Sequence, residues 1–275
     1  MEKLIINFAP TGMIPTKDMT PNIPLTPAEI AKDVLRAAQL GASIVHLHAR
    51  NGDESPAHQK EIYEDIIGRI RKENKDIILC VSTSGRSAVE FEKRSMVLDI
   101  KGALKPDMAS LTLSSLNFNN QASINPPDMI KALAEKMLEK GIKPELEVFD
   151  IGMINYAKYL IKKGLLKPPY YFNLLLGNIA CAQANLLNVG LMLNELPEDS
   201  LWSLAGIGDH QTTMNALAVV YGGGVRVGLE DNIWYDQERT KLATNEELVK
   251  RVADTAKAIG REIATPKEVR KMLNI

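Results

Sequence analysis

The chain has 275 residues, 45% hydrophobic and 24% charged, and its 33 basic and 34 acidic side chains leave a formal charge of −1. A chain of this length buries a full core without disulfide staples, and so even a charge balance gives nucleic acid or an anionic membrane surface no field to bind. Two cysteines make no disulfide framework, no stretch reaches the length of a membrane span, and Met1-Glu2-Lys3 leads directly into a strand-like run without a signal-type segment, so a cytoplasmic protein is expected.

In chain order, short apolar runs alternate with longer segments of helical period. Strands are expected at 4–9, 44–48, 77–82, 108–112, 146–149, 171–176, 202–205 and 225–229. Thr26-Pro27-Ala28-Glu29 supplies an N-cap threonine, a proline at the first helical position and a glutamate at the third, opening a helix that runs to Gly41. Gly102, Gly141 and Gly164 stop or follow later helices, and Pro126-Pro127-Asp128 starts one that reaches Lys140. A helix over 245–259 ends at Gly260, and Thr265-Pro266-Lys267-Glu268 caps a last short one at 266–273. Strands that alternate with helices pair in parallel, and eight such units predict a closed (β/α)8 barrel, with an open doubly wound sheet as the alternative. No linker-like block divides the chain, so residues 1–275 are expected to form a single barrel domain.

Reactive groups of a barrel sit at the C-terminal ends of its strands. The second strand ends in His46-Leu47-His48. Alternate residues of a strand share a face, so the two imidazoles suit one zinc, nickel, copper or iron ion, and equally suit a pair of hydrogen-bonded histidines in a polar barrel mouth. Glu230 follows the eighth strand, which flanks the first from the side opposite the second, so its carboxylate can converge on them; two histidines and a carboxylate with an open position form a catalytic zinc shell. A helix cap or surface turn is the competing role for Glu230. Arg226 and Asp231 can pair so that the aspartate serves as a proton acceptor, or can form a structural salt bridge. Ser82-Thr83-Ser84-Gly85 ends the third strand before a helix; its hydroxyls and N–H groups suit a carboxylate or phosphate, or cap that helix. Glu147 lies inside an apolar strand and needs a buried partner. Cys80, within the apolar residues 77–81, is expected to be a buried free thiol.

These residues resemble the β-keto acid cleavage enzymes over essentially the whole chain. The matching stretches are residues 21–27, Ala42-Ser43-Ile44-Val45-His46-Leu47-His48-Ala49-Arg50, Ser82-Thr83-Ser84-Gly85, residues 105–110, 116–118, 144–148 and 205–208, and the run from Gly222 through Arg226 to Glu230-Asp231-Asn232. The resemblance implies a (β/α)8 barrel with zinc held by His46, His48 and Glu230. It implies a reaction that condenses a β-keto acid with acetyl-CoA and splits the adduct into acetoacetate and a new CoA thioester. Arg226 and Asp231 match the pair that promotes proton removal, Ser82 the serine at the substrate carboxylate, Glu147 a pocket glutamate, and Ser110 a threonine whose hydroxyl it keeps. Gly85 belongs to the same substrate-binding turn. Members that act on an aminated keto acid carry a glutamate where this chain has Ile14, so an uncharged or apolar keto acid is expected instead. The glycine-rich loop on the cofactor side is replaced by residues 177–183, which leaves the acyl-CoA preference open. A homotetramer follows from the resemblance. A zinc hydrolase or lyase working without CoA is the alternative.

Overall fold

The parallel ladder follows the order of the chain. The structure, a computed structural model, describes residues 2–275. Its barrel strands are β1 (Ile6–Phe8), β2 (Ile44–Leu47), β3 (Ile78–Val81), β4 (Met108–Thr112), β5 (Lys143–Val148), β6 (Tyr170–Leu176), β7 (Ser200–Gly206) and β8 (Gly224–Val227). Each pairs with its predecessor and β8 closes on β1. In the closing register Asn7 faces Arg226, while on its other side Asn7 faces Ile44 of β2. The architecture is therefore the (β/α)8 barrel, and the open sheet is excluded. The first strand is shorter than its apolar run because Leu4 bridges Ile263 in the returning C-terminal segment.

The helices are α1 (Pro27–Gln39), α2 (Lys60–Glu73), α3 (Phe91–Ser95), α4 (Pro127–Lys140), α5 (Ile151–Lys162), α6 (Leu186–Glu195), α7 (Gln211–Tyr221), α8 (Asn245–Ala258) and α9 (Pro266–Leu273). Reciprocal capping boxes open α1 with Thr26 and Glu29, α8 with Thr244 and Glu247, and α9 with Thr265 and Glu268. The expectation of a helix directly after Ser82–Gly85 is corrected. The short α3 starts only at Phe91, because Ser82 and Ser84 turn their hydroxyls to the amides of Ser84 and Arg86 and bend the chain into a loop.

Strand residues such as Ile6, Phe8, Val45 and Leu47 face the helices and form the main core. The inward face is layered. Its floor is apolar: Ile44, Ile78, Met108 and Tyr171 pack with Val269 and Leu273 of α9, which plugs the N-terminal end. Above it the layer turns polar, and Asn7 donates to Glu145 across the barrel at 2.7 Å. Two small antiparallel ladders follow β2 and β4: Ala49–Arg50 with Pro56–Ala57, and Leu116–Asn117 with Ala122–Ser123. Among the described residues no helix is long and apolar enough to cross a membrane.

Candidate metal centre and active site

A cavity of about 410 Å³ opens at the C-terminal end of the strands. Its wall includes His46, His48, Ser82, Glu147, Arg226, Glu230 and Asp231, so the structure brings most of the sequence-expected site together. His46 and His48 leave β2 on the same face, and their Nε2 atoms lie 3.2 Å apart. Glu230 arrives from beyond β8, with Oε1 at 3.3 Å from His48 Nε2 and 3.9 Å from His46 Nε2. Its approach depends on Gly12, whose φ is +63° and where a Cβ would fall 2.6 Å from Glu230 Cγ.

The donor set fits a cation. Glu230 Oε2 is buried without a hydrogen-bond partner, a costly state for a carboxylate oxygen unless a cation is meant to meet it. The ligand atoms of the three residues lie within 4.8 Å of one another. His46 Nδ1 sits 2.5 Å from Glu145 Oε2, which fixes the tautomer with its Nε2 lone pair turned to His48 and Glu230. Burial alone would depress His46, but the Glu145 and Glu230 carboxylates raise it to about 9. A cation bound on that face takes the place of this proton. His48 is lowered by burial, against the pull of Glu230. Burial opposes the charge on Glu230, yet His48 and Arg226 hold it well below the usual carboxylate range, so it stays ionised.

Arg226, buried at the end of β8, organises the anionic side. Its Nε and Nη2 donate to Asp231 at 3.0 and 3.2 Å, its Nη1 to Glu147 at 3.1 Å, and its Nη2 also to Glu230 at 2.8 Å. Thr112 donates to the other oxygen of Glu147 at 2.7 Å. Burial and the neighbouring Glu230 charge raise Asp231 in spite of Arg226. A carboxylate raised in this way is the better proton acceptor of the group.

Two expected substrate contacts do not reach the wall. Ser110 lies one layer deeper, where Thr83 N–H donates to its Oγ at 3.2 Å. Gly85 faces the neighbouring hairpin: a Cβ there would meet Ile124 O at 2.3 Å, so the glycine permits packing and touches no cavity. Ile14 and Ser82 do line the cavity, and so does Asn178 of the loop after β6, which donates to Asn117 O at 2.9 Å. Sequence reading assigned no role to Glu145, Arg50 or Arg86. Glu145 stands two residues before Glu147 and shares its inward face, but it precedes the strand expected at 146–149, so the sequence did not mark it. Arg50 donates to the carbonyls of Gly12, Pro15 and Glu54 and so holds the segment bearing Met13 and Ile14 over the cavity.

Comparison with known proteins identifies the constellation's relatives. The family model for beta-keto acid cleavage enzyme matches residues 3–275. A 3-keto-5-aminohexanoate cleavage enzyme of Fusobacterium nucleatum is 41% identical over 100% of this chain and 99% of its own. A 3-oxoadipate:acetyl-CoA acetyltransferase of Cupriavidus necator is 36% identical over 98% of this chain and 94% of its own. The solved structure of apo ObcA superposes with a TM-score of 0.82 at 23% identity, covering 92% of this chain and 66% of that one, a likeness that speaks to the fold.

Proposed function

Because the chain belongs to the beta-keto acid cleavage enzyme family, we propose that it is a zinc-dependent acyltransferase that converts a β-keto acid and acetyl-CoA into acetoacetate and a new acyl-CoA. The carrying observation is the convergence of His46, His48 and Glu230 beside the Arg226–Asp231 pair in one cavity. His46, His48 and Glu230 would hold the ion; two imidazoles and one carboxylate with room for substrate are a donor set suited to zinc. When bound, the ion supplies Lewis acidity that favours negative charge on the ketone oxygen of the substrate.

The chain's own residues account for the rest. Asp231 accepts a proton from the carbon between the ketone and the carboxylate, its raised affinity for protons set by burial against Arg226. Arg226 fixes the orientation of Asp231 through two donors and keeps Glu147 and Glu230 in register. The Ser82 hydroxyl lies on the wall where the substrate carboxylate is received. The carbon freed of its proton bonds to the acetyl carbonyl as the thioester C–S bond breaks and CoA leaves as thiolate; that thiolate then attacks the original ketone carbon, the bond from it to the central carbon breaks, and the central carbon takes back a proton, leaving acetoacetate and the new acyl-CoA. The overall exchange conserves atoms: a keto acid and a thioester enter, and a keto acid and a thioester leave.

The relatives' names differ in the acid they carry, so membership leaves the side chain open. Ile14 on the wall offers no charge to an ammonium group, so the aminated acid is not the preferred substrate. Kinetics across a panel of β-keto acids checks this: Ile14→Glu should raise kcat/KM for 5-amino-3-oxohexanoate relative to 3-oxohexanoate. Metal analysis with assays in the presence and absence of acetyl-CoA tests the main reading. Turnover that needs no CoA ester would replace it with a hydrolase or lyase. The same reading takes the protein as a cytoplasmic homotetramer; Ile179, Leu186 and Leu187, standing 69%, 69% and 72% exposed around the start of α6, support self-association. Light scattering on the purified protein checks the assembly.

A further inference from the structure

Ten of the eleven arginines in the chain donate at least one side-chain hydrogen bond. The exception is Arg86. Among the described residues its guanidinium donates no hydrogen bond and forms no ion pair, although it is half-buried and lies on the wall of the active-site cavity. The contrast with its neighbour Arg94 is instructive, because Arg94 is satisfied by Thr83 O, Ile124 O and Asn125 Oδ1. Arg226, on the same wall, is engaged by Asp231, Glu147 and Glu230 together. That leaves Arg86 as the cation of this cavity without a matched anion.

Its position is held without using its donors. The guanidinium carbon sits 3.4 Å from the centre of the Phe118 ring, and Phe118 is braced edge-on by Phe149 at the end of β5, with centroids 5.6 Å apart. Stacking on an aromatic face orients a guanidinium and leaves its in-plane N–H fork free. The lip beside it is formed by Asn119, Asn120 and Gln121, which add neutral hydrogen-bonding groups. A half-desolvated fork of five donors is a receptor for a planar, bidentate anion.

We propose that Arg86 receives a second carboxylate, at the end of the β-keto acid remote from its keto-acid head, so that the cavity selects a β-keto dicarboxylic acid. This deepens the proposed reaction and rests on it for the placement of the head group. It also revises the expectation of an uncharged substrate drawn from Ile14, which described the absence of an anionic partner and did not weigh the cation. The phosphates of acetyl-CoA are the other anions at hand. They lie a full pantetheine arm from the thioester, whereas Arg86 lines the same cavity as His46, His48 and Glu230.

The test compares 3-oxoadipate with 3-oxohexanoate, which puts a methyl group where the second carboxylate stands. On the metal-loaded protein with acetyl-CoA, kcat/KM should favour the diacid. Arg86→Gln should lower kcat/KM for the diacid about 10- to 100-fold more than for the monoacid, the range expected for one charged hydrogen-bonded contact, and Arg86→Lys should recover part of the loss. Calorimetric binding of the two acids gives a second readout that does not need turnover. Tighter diacid binding that is lost in Arg86→Gln supports the proposal even if neither acid reacts, in which case the proposed reaction fails alone. Equal binding and turnover of the two acids, or a loss in Arg86→Gln that appears only as a raised KM for acetyl-CoA, overturns the role of Arg86 and leaves the reaction standing.

Discussion

At the scale of single residues, the metal centre depends on a carboxylate that would not touch the metal. Glu145, fully buried, binds His46 Nδ1 and also receives Asn7 and the Cys80 thiol. Glu145→Gln keeps the shape but weakens the acceptor that orients the ring, so zinc affinity should fall about 10- to 100-fold. Competition against a chromogenic chelator measures this, and unchanged affinity would rule out the orienting role. The histidine pair was legible in the sequence because strand period alone puts His46 and His48 on one face. Glu145 was not, because its meaning comes from a partner 99 positions away and nothing local marks it as different from Glu147. Arg86 escaped for another reason: a helix expected directly after Gly85 turns that stretch into a surface segment, and the actual loop brings it to the cavity instead.

At the scale of elements, the loop after β1 is as much a part of the site as the strands. Gly12 leaves room for Glu230, and its carbonyl is gripped by Arg50 Nε at 2.9 Å. Gly12→Ala places a methyl group against the Glu230 side chain at a left-handed backbone position, at a cost of about 1–2 kcal/mol for the backbone alone. The expected outcome is a lower melting temperature together with loss of stoichiometric metal; full occupancy with wild-type affinity would show that Glu230 has other ways to approach. The starts of α1 and α9 were legible because capping is local chemistry. The reach of the hairpin after β4 was not, since its ladder has only two residues on each side and its walling role follows from the barrel around it.

The capping boxes carry a pH dependence. Burial works against the charge on Glu29, but the amides of Thr26 and Leu25 and the Lys17 ammonium lower it from 4.5 to about 2. The Lys3 ammonium and the Thr265 amide bring Glu268 down to about 2, and Lys241 with the Thr244 amide lowers Glu247. Carboxyls held below their unfolded value take up protons more readily in the unfolded chain. Their contribution is complete above the ordinary value of 4.5 and disappears as pH falls toward about 2. The triple variant Glu29→Gln, Glu247→Gln, Glu268→Gln should therefore melt below the parent at neutral pH, with the gap closing in acid. Thermal unfolding followed by circular dichroism across that range decides it; a gap constant with pH would assign the loss to geometry and not to charge.

At the scale of the whole molecule, closure of β8 on β1 makes the site. Strand ends that stand far apart in sequence, at His46 and at Glu230, become neighbours only when the ladder is complete. Eight strand candidates in alternation were enough to expect that closure, whereas the polar middle layer was not legible, because it appears only when inward residues from opposite staves meet. A cation shared by these staves links metal binding to folding. With free metal at a thousandfold above its dissociation constant the gain is about 4 kcal/mol, so stripping the bound metal should lower the melting temperature by roughly 10 °C. Readdition of zinc should restore it and magnesium should not; an unaltered melting curve after complete chelation would separate the three side chains from any ion.

The plug that α9 sets under the apolar floor has its own kinetic meaning. A barrel stoppered at one end is a vestibule with a single doorway, so whatever is made inside departs along the route by which the reactants arrived. A molecule held at that doorway stands in the way of the next one.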